Sequence, residues 1–480
     1  MKLFSLHGKV ALLLPMDAQA GFHAKSADEA EILEGLARVG FVRRVHEAPT
    51  GLSWRWSTDH PAADRALLAL LAQFDLDLEV GVAADNGAWL AAAIWEPSPG
   101  EAAGEVFSGT GFRPDDAVRS CLGEFAEFQS WLYRPGDSGK RCDRRALGEW
   151  AVDPWDVLGF AQEQRDRRVD FNDAWHGYDA IPETTAFDGE IDWSPIKALA
   201  DGSTHWLPSQ ICFGRYADRA KDAGSAWRSD SNGCAAGRTP ERAIAHALLE
   251  LVERDATGIW WYGRIPRPGV PQSLLEGDPL GEALARRAEM GQHAWLLDLT
   301  HDLEIPVIAA ILADKDGNLQ SLGFGCHVSQ LQAARSAYLE MCQMELSVAF
   351  VRRRVAQAAD TATPDDRRML DWMSRANIGH LGHLRPAEGL IARRPPNVSS
   401  DEGHIAELVL ERLRRARLEA YIADLQRPHI GVPAVRAFVP GLCHFKPRLG
   451  CRRLIEVPRA LRWREAGFDA KDLSEVPLLI

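Results

Sequence analysis

Long apolar runs are missing from this chain of 480 residues. No stretch approaches ~18 uninterrupted apolar residues, so no membrane-spanning helix is expected. The VALLLP run near the start is too short for a secretory h-region and follows His7, Gly8 and Lys9, so no signal peptide is expected. Paired cysteines are missing as well. The eight Cys (121, 142, 212, 234, 326, 342, 443 and 451) form no C-x-x-C, which reads as reduced thiols of a soluble cytoplasmic protein rather than a disulfide frame. Positive charge is scarce: 55 Lys and Arg against 68 Asp and Glu leave a net charge of -13. That balance argues against bulk binding to nucleic acid or to an anionic membrane. What remains is an ordinary globular composition, long enough for two to four domains or one large α/β body.

The most informative feature present is a repeat. Residues 111–127 read GFRPDDAVRSCLGEFAE and residues 237–253 read GRTPERAIAHALLELVE. Both fit Gly-x-x-Pro-x-x-Ala-x-x-[Ser/His]-x-x-x-Glu-x-x-Glu. A shorter version, AARSAYLEMCQ at 333–343, keeps the Ala, the Ser, one Glu and a terminal Gln at the same offsets. On a helix, Ser120, Glu124 and Glu127 share one face, as do His246, Glu250 and Glu253, and Ser336, Glu340 and Gln343. A single Glu-x-x-Glu is usually a solvated helix face. Here the flanks are Ala, Leu, Ile and Val, and carboxylates on such a face are costly to bury unless a cation satisfies them. Hard cations with a taste for carboxylate oxygen are Mg²⁺ and Ca²⁺, and Mg²⁺ is the usual companion of nucleotide phosphates. The first two repeats follow Gly-rich segments, SGTG at 108–111 and SNGCAAG at 231–237, which are read as turns leading into helix N-termini able to receive phosphate. Thr239 is the expected N-cap of the second helix and Pro240 its first residue. Neither segment fits the Walker or Rossmann glycine pattern. His246, Asp298, Thr300 and Asp302 each have a plain structural reading when taken singly.

Along the chain, residues 1–80 read as a small α+β module. It has a strand in LFSLHGKVALLL, a capping box at Ser26–Glu29 opening a helix, and a second helix from Pro61. Residues 81–480 form the remaining body. LAAAIW at 90–95 reads as a buried strand, residues 134–192 as an irregular insertion, and WLPSQICFGRY as a strand. AWLLDLTHDLEIPVIAAILA reads as two strands around a turn, and its residues 298–313 are echoed at 424–441. Residues 402–418 read as an amphipathic helix. Two kinds of echo imply an α/β (α+β) fold assembled by internal duplication, with the carboxylate helices facing one site.

These segments resemble the YcaO family of ATP-dependent enzymes that modify peptide backbones. The resemblance covers roughly residues 90–460 and rests on SGTGFRPDDAVRSCLGEFAE, IDWSPIKALADGSTHWLP, DSNGCAAGRTPERAIAHALLELVERDA, DLTHDLEIPV, GFGCHVSQLQAARSAYLEMCQ and GVPAVRAFVPGL. It implies ATP and Mg²⁺ as cofactors. Glu124, Glu127, Glu250 and Glu253 are implied metal ligands, and Glu250, Glu253 and Arg254 the catalytic group. Ser108, Gly111, Ser120, Ser231, Asn232, Glu241, His246, Arg335, Glu340 and Gln343 are implied in nucleotide binding. The implied reaction is cyclodehydration of Cys, Ser or Thr in a ribosomal precursor peptide to azolines, with thioamide or amidine formation by the same amide activation as an alternative. A degenerate paralogue that only binds peptide or partner is a non-enzymatic alternative. Implied partners are a leader-binding, E1-like protein and a flavin dehydrogenase or sulfur-delivery protein, in a homodimer or hetero-oligomer; residues 1–80 suit partner or leader docking. The chain departs from the family pattern at Thr110 (usually Lys), Phe128 (often Arg), Arg242 (often Glu) and Ser336 (usually Arg, here displaced to Arg335). It ends SEVPLLI where azoline-forming members often have Pro-x-Pro-x-Pro.

Overall fold

In a computed structural model of the chain, residues 11–14, 30, 33–34, 36–37, 42–47, 51–56, 62–83, 86–95, 105–219, 229–357, 363–389 and 402–479 are described. The expected capping box at Ser26–Glu29 lies outside them. Strand β1 (Ala11–Leu14), the antiparallel pair β2 (Val42–Glu47) and β3 (Gly51–Trp56), helix α1 (Ala62–Gln73) and strands β4 (Asp77–Ala83), β5 (Ala88–Trp95) and β6 (Glu105–Gly111) open the chain. Strands β1, β4, β5 and β6 form one antiparallel sheet in that order. Strand β4 therefore runs across residue 80, and β1 and β4 share a sheet with the SGTG segment, while β2 and β3 form a sheet of their own.

SGTG is itself strand, not the expected turn. Ser108, Gly109, Thr110 and Gly111 pair with Ala92, Ala91, Leu90 and Trp89 of β5. Helix α2 (Pro114–Trp131) follows directly, with Pro114 supplying the pre-set φ of a first helical residue. Its apolar face, including Val118, Leu122 and Phe125, is buried against the sheet. Residues 134–192 hold short strand β7 (Lys140–Cys142) and several helical turns of three to seven residues, more order than an irregular insertion implies. Next come β8 (Ile191–Ala198) and β9 (Thr204–Pro208); the expected strand through WLPSQICFGRY stops at Pro208, where Ser209–Cys212 turns helical.

Strand β10 (Cys234–Ala236) leads into α3 (Pro240–Gly263), the central helix of the molecule. Thr239 caps it by accepting from Arg242 N at 3.2 Å. Its C-terminal half buries Trp260, Trp261 and Tyr262 completely, so it ends inside the largest core. Helix α4 (Pro279–Glu289) precedes the antiparallel meander β11 (His293–Asp298), β12 (Val307–Ala313) and β13 (Leu319–Cys326). Helices α5 (Gln330–Gln357), α6 (Pro364–Arg375) and α7 (Glu402–Arg415), strands β14 (Tyr421–Asp424) and β15 (Ala434–Phe438), and α8 (Arg453–Ala460) complete the labelled elements. Strands β10, β15, β14, β8 and β7 form a second sheet, with β9 on β8. The sheets are antiparallel throughout these strand pairs, so within the expected α/β (α+β) class the fold is of the α+β kind.

The three sequence repeats are three strand–helix units: β6–α2, β10–α3 and β13–α5. Each helix packs on its own strand and on the next unit's strand, α2 on β10, α3 on β13 and α5 on β6, so the units close a ring. Glycine permits the close approach. A Cβ at Gly109 would lie 2.5 Å from Ala117 O, and one at Gly325 would lie 2.6 Å from Ala337 N. The missing side chains are thus filled by helix backbone.

Candidate functional site

The ring brings the repeated carboxylates together. Within a unit, the first Glu is tied to the strand that precedes its helix or, in the second unit, to the turn just before that strand. Glu124 accepts from Ser108 N at 3.3 Å, and Glu340 accepts from Phe324 N, the corresponding residue of the third unit. Glu250 is held by the backbone of Gly233. The second position of each unit reaches into the next. Glu127 meets the backbone of Ala236, Glu253 that of Cys326, and Gln343 donates from Nε2 to Ser108 Oγ at 2.8 Å. Helical i, i+3 spacing therefore divides the labour between anchoring inside a unit and bridging to its neighbour.

Burial dominates the electrostatics of the five carboxylates. Their outer atoms range from nearly covered at Glu253 to open at Glu124, yet all are walled by protein, as expected of groups lining a concavity. Desolvation pushes Glu124 and Glu250 up to about 7 and Glu253 up to about 8, with Glu127 and Glu340 raised as well. Mutual repulsion adds to the shift, of Glu250 and Glu124 on Glu127 and of Glu340 and Glu250 on Glu253. The protein supplies one guanidinium from within the group. Arg254 lies 3.4 Å from Glu253 and 3.7 Å from Glu250 and stacks 4.9 Å over the Phe445 ring. Arg436, on β15, lowers Glu127 and Glu250 from behind. Five carboxylates with so little compensation suit a hard divalent cation, and an oxygen-only donor set suits Mg²⁺. Glu124, Glu127, Glu250, Glu253 and Glu340 are the residues that would hold it.

The other expected site residues are placed unevenly. Ser108 lies beside Glu124 and Gln343. Gly111 lies against the first turn of α2, where a Cβ would meet Ala117 N at 2.8 Å. Ser120 is exposed on α2. His246 is open to solvent but surrounded by protein bulk; that burial, with Arg242 and His327 nearby, depresses it to about 4. Ser231 is exposed, and Asn232 sits half-buried in the turn before β10. Glu241 is exposed in the first turn of α3. Arg335 is held elsewhere: Asp278, the N-cap of α4, accepts from its Nε at 3.1 Å.

Sequence reading passed over Asp230, Tyr178, Arg436 and Phe445. Tyr178 comes from the region read as irregular; it is a buried phenol near Arg254, pushed well above its ordinary value by burial. Asp230 and Arg436 lie inside the quoted segments DSNGCAAG and GVPAVRAFVPGL, but their roles depend on contacts between distant parts of the chain. Two further groups with ligand-like donors occur among the described residues: Asp255 with Cys443 and Cys451, and Asp255 with His301 and Asp302. Arg453 already forks onto Asp255 and Asp302, each at 2.7 Å, so a guanidinium occupies the cationic place there.

Comparisons with known proteins agree with this geometry. The family described as YcaO cyclodehydratase, ATP- and Mg²⁺-binding, matches residues 108–443. An uncharacterized protein of Methanothermobacter thermautotrophicus is 28% identical over 277 residues, covering 55% of this chain and 68% of that protein. A heterocyclase solved in complex with substrate and cofactor has a TM-score of 0.77 at 26% identity, covering 87% of this chain and 57% of that one. The heterocyclase TruD has a TM-score of 0.64 at 30% identity, covering 76% and 50%. The chain thus spans little more than half of those two heterocyclases. The YcaO protein of Methanopyrus kandleri, solved with AMPPCP and Mg²⁺, has a TM-score of 0.53 at 19% identity, covering 80% and 91%, and shares the fold. No helix among the described residues is long and apolar enough to cross a membrane. With the match extending over well more than half of its length, the chain belongs to the YcaO cyclodehydratase family, whose cofactors are ATP and Mg²⁺.

Proposed function

We propose that this chain activates backbone amides of a ribosomally made precursor peptide by ATP-dependent phosphorylation, converting Cys, Ser or Thr to azolines. The observation that carries this reading is the convergence of Glu124, Glu127, Glu250, Glu253 and Glu340 from three helices, with Arg254 beside Glu250, Glu253 and Glu340. An amide oxygen leaves only after phosphorylation. In the reaction the side-chain nucleophile adds to the preceding carbonyl, the resulting oxyanion takes the γ-phosphoryl group, and loss of phosphate leaves the ring. Positioning and charge neutralisation are therefore the main tasks. Mg²⁺ held by the glutamates supplies neutralisation of phosphate charge. Arg254 suits the same task, since it is desolvated, is fixed over Phe445, and keeps a buried Nε without a hydrogen-bond partner among the described residues. Glu250 and Glu253 fix that guanidinium from the same helix.

The precursor peptide and a leader-binding partner complete the proposed system, with a flavin dehydrogenase where azoles are the product. Residues 1–80 are proposed to serve in docking, since β1 and the start of β4 belong to the sheet that carries Ser108, while β2 and β3 pair apart from it. The test is ATP turnover on precursor and partner, followed by mass spectrometry. Loss of one water per ring supports cyclodehydration, and exchange of oxygen for sulfur indicates thioamide formation instead. Glu250→Gln, near-isosteric and uncharged, is expected to lower turnover on the order of 100-fold or more; unchanged turnover would contradict the proposal.

A further inference from the structure

Asp230 precedes the Ser231–Asn232 turn and is packed among basic side chains from one distant segment, of which Arg448 and Lys446 are cations. Arg448 donates to its Oδ2 at 2.6 Å, with His444 Nε2 at 3.3 Å and Lys446 Nζ at 4.0 Å. Arg436 approaches Oδ1 at 3.5 Å. The same Oδ1 accepts the backbone N–H of Asn232 at 3.2 Å. Arg436 takes the other side of that residue, donating from Nε to Asn232 O at 3.2 Å, and also bonds Ser229 Oγ at 3.0 Å. Both backbone polar groups of Asn232 are therefore fixed by charged side chains. Its own Oδ1, in contrast, is buried and has no hydrogen-bond partner among the described residues.

A buried amide oxygen left bare on a backbone held this firmly is costly unless a ligand or water completes it. Charged side chains on both backbone groups of one residue are more than an ordinary turn needs, although Arg436 also donates to Ile211 O and Cys212 O. On the reading that this is a nucleotide site, we infer that Asp230 and Arg436 are positioning residues that hold Asn232 with its side-chain amide ready for the nucleotide. Neither of them touches the ligand. They act through the backbone of Asn232, and Arg436 extends the same hold toward Glu127 and Glu250.

A double-mutant cycle separates this from simple support of the fold, because residues that act through one another fail to add. The probe is AMPPCP with Mg²⁺, titrated calorimetrically into the full chain. Asp230→Asn keeps an acceptor for the Asn232 N–H and leaves Arg448 on Asp179, which it already contacts at 2.9 Å. It is expected to weaken binding about tenfold in the wild-type background, the scale on which groups that orient a ligating residue act. In an Asn232→Ala background the same change should have no further effect. With a turning-over system, KM for ATP should rise more than kcat falls. Ser229→Ala, which removes one Arg436 contact, is the milder second variant and should show the same dependence on Asn232. Equal weakening in both backgrounds, or none in either, would overturn the inference. Failure of the wild-type chain to bind the probe at all would instead overturn the nucleotide reading on which it rests.

Discussion

Glu253 shows what the site asks of single residues. A carboxyl group raised to about 7 or 8 in the fold and near 4.5 when unfolded binds its proton more tightly in the folded state. Its contribution to stability is fully present below pH 4.5 and is lost as pH rises through the folded value. Glu124, Glu250 and Glu253 all act in this direction, while His246, His383 and His444, depressed to about 4 from 6.5, oppose them at lower pH; in the presence of a chelator the melting temperature should therefore fall between about pH 6.5 and about pH 8. The buried ion pairs of Asp230 and Asp255 act in the opposite sense, but below the ordinary Asp value of 3.8, and so leave this window untouched. Saturating Mg²⁺ should restore most of the loss at the alkaline end. A chelated protein whose melting temperature is flat or rises over that range would contradict the burial of these groups. Their grouping was legible in the sequence because helical period alone puts each Glu pair on one face. The Asp230–Arg436 clamp was not legible, because it is made by side chains about two hundred residues apart whose meeting depends on the β10–β15 pairing.

At the scale of elements, the strand–helix unit is the repeated object, and glycine sets its tightness. SGTG was misread as a phosphate-binding turn because Gly-rich segments usually supply unusual backbone angles. Gly109 and Gly111 are absent from the residues of positive φ, whereas Gly233, in a real turn, has φ 81°. What β6 uses is the missing Cβ, which a propensity reading cannot tell from the need for positive φ. Gly325→Ala should therefore push β13 off α5 and cost about 3 kcal/mol or more, since backbone cannot yield as a flexible side chain can. Denaturant unfolding of the variant checks this, and a loss below about 1 kcal/mol would mean that the strand and helix can separate at little expense. Strands β11 and β12, and β15 in the echo, were readable from the apolar runs around Pro306 and Pro433, whereas β14 lies almost wholly before the echoed segment. The helical turn at Ser209–Cys212 was hidden inside a run of strand-forming residues.

For the whole molecule, three units in a ring give one concave site rather than three. The second position of each unit contacts the next unit's strand, so the carboxylates cannot be assembled without closing the ring. The third closure uses Gln343 rather than Glu, which keeps the hydrogen bond to Ser108 while removing one negative charge from the group. Fold class and duplication were visible in the sequence. The order in which the units meet was not, since each link lies between segments far apart in the chain. The central claim is that this ring binds nucleotide through Mg²⁺. Calorimetric titration of AMPPCP into the full chain, with Mg²⁺ and with a chelator, tests it most directly. Saturable binding that requires Mg²⁺ and weakens about 100-fold in Glu250→Gln is predicted; equal binding with and without Mg²⁺, or no change in the variant, would contradict it.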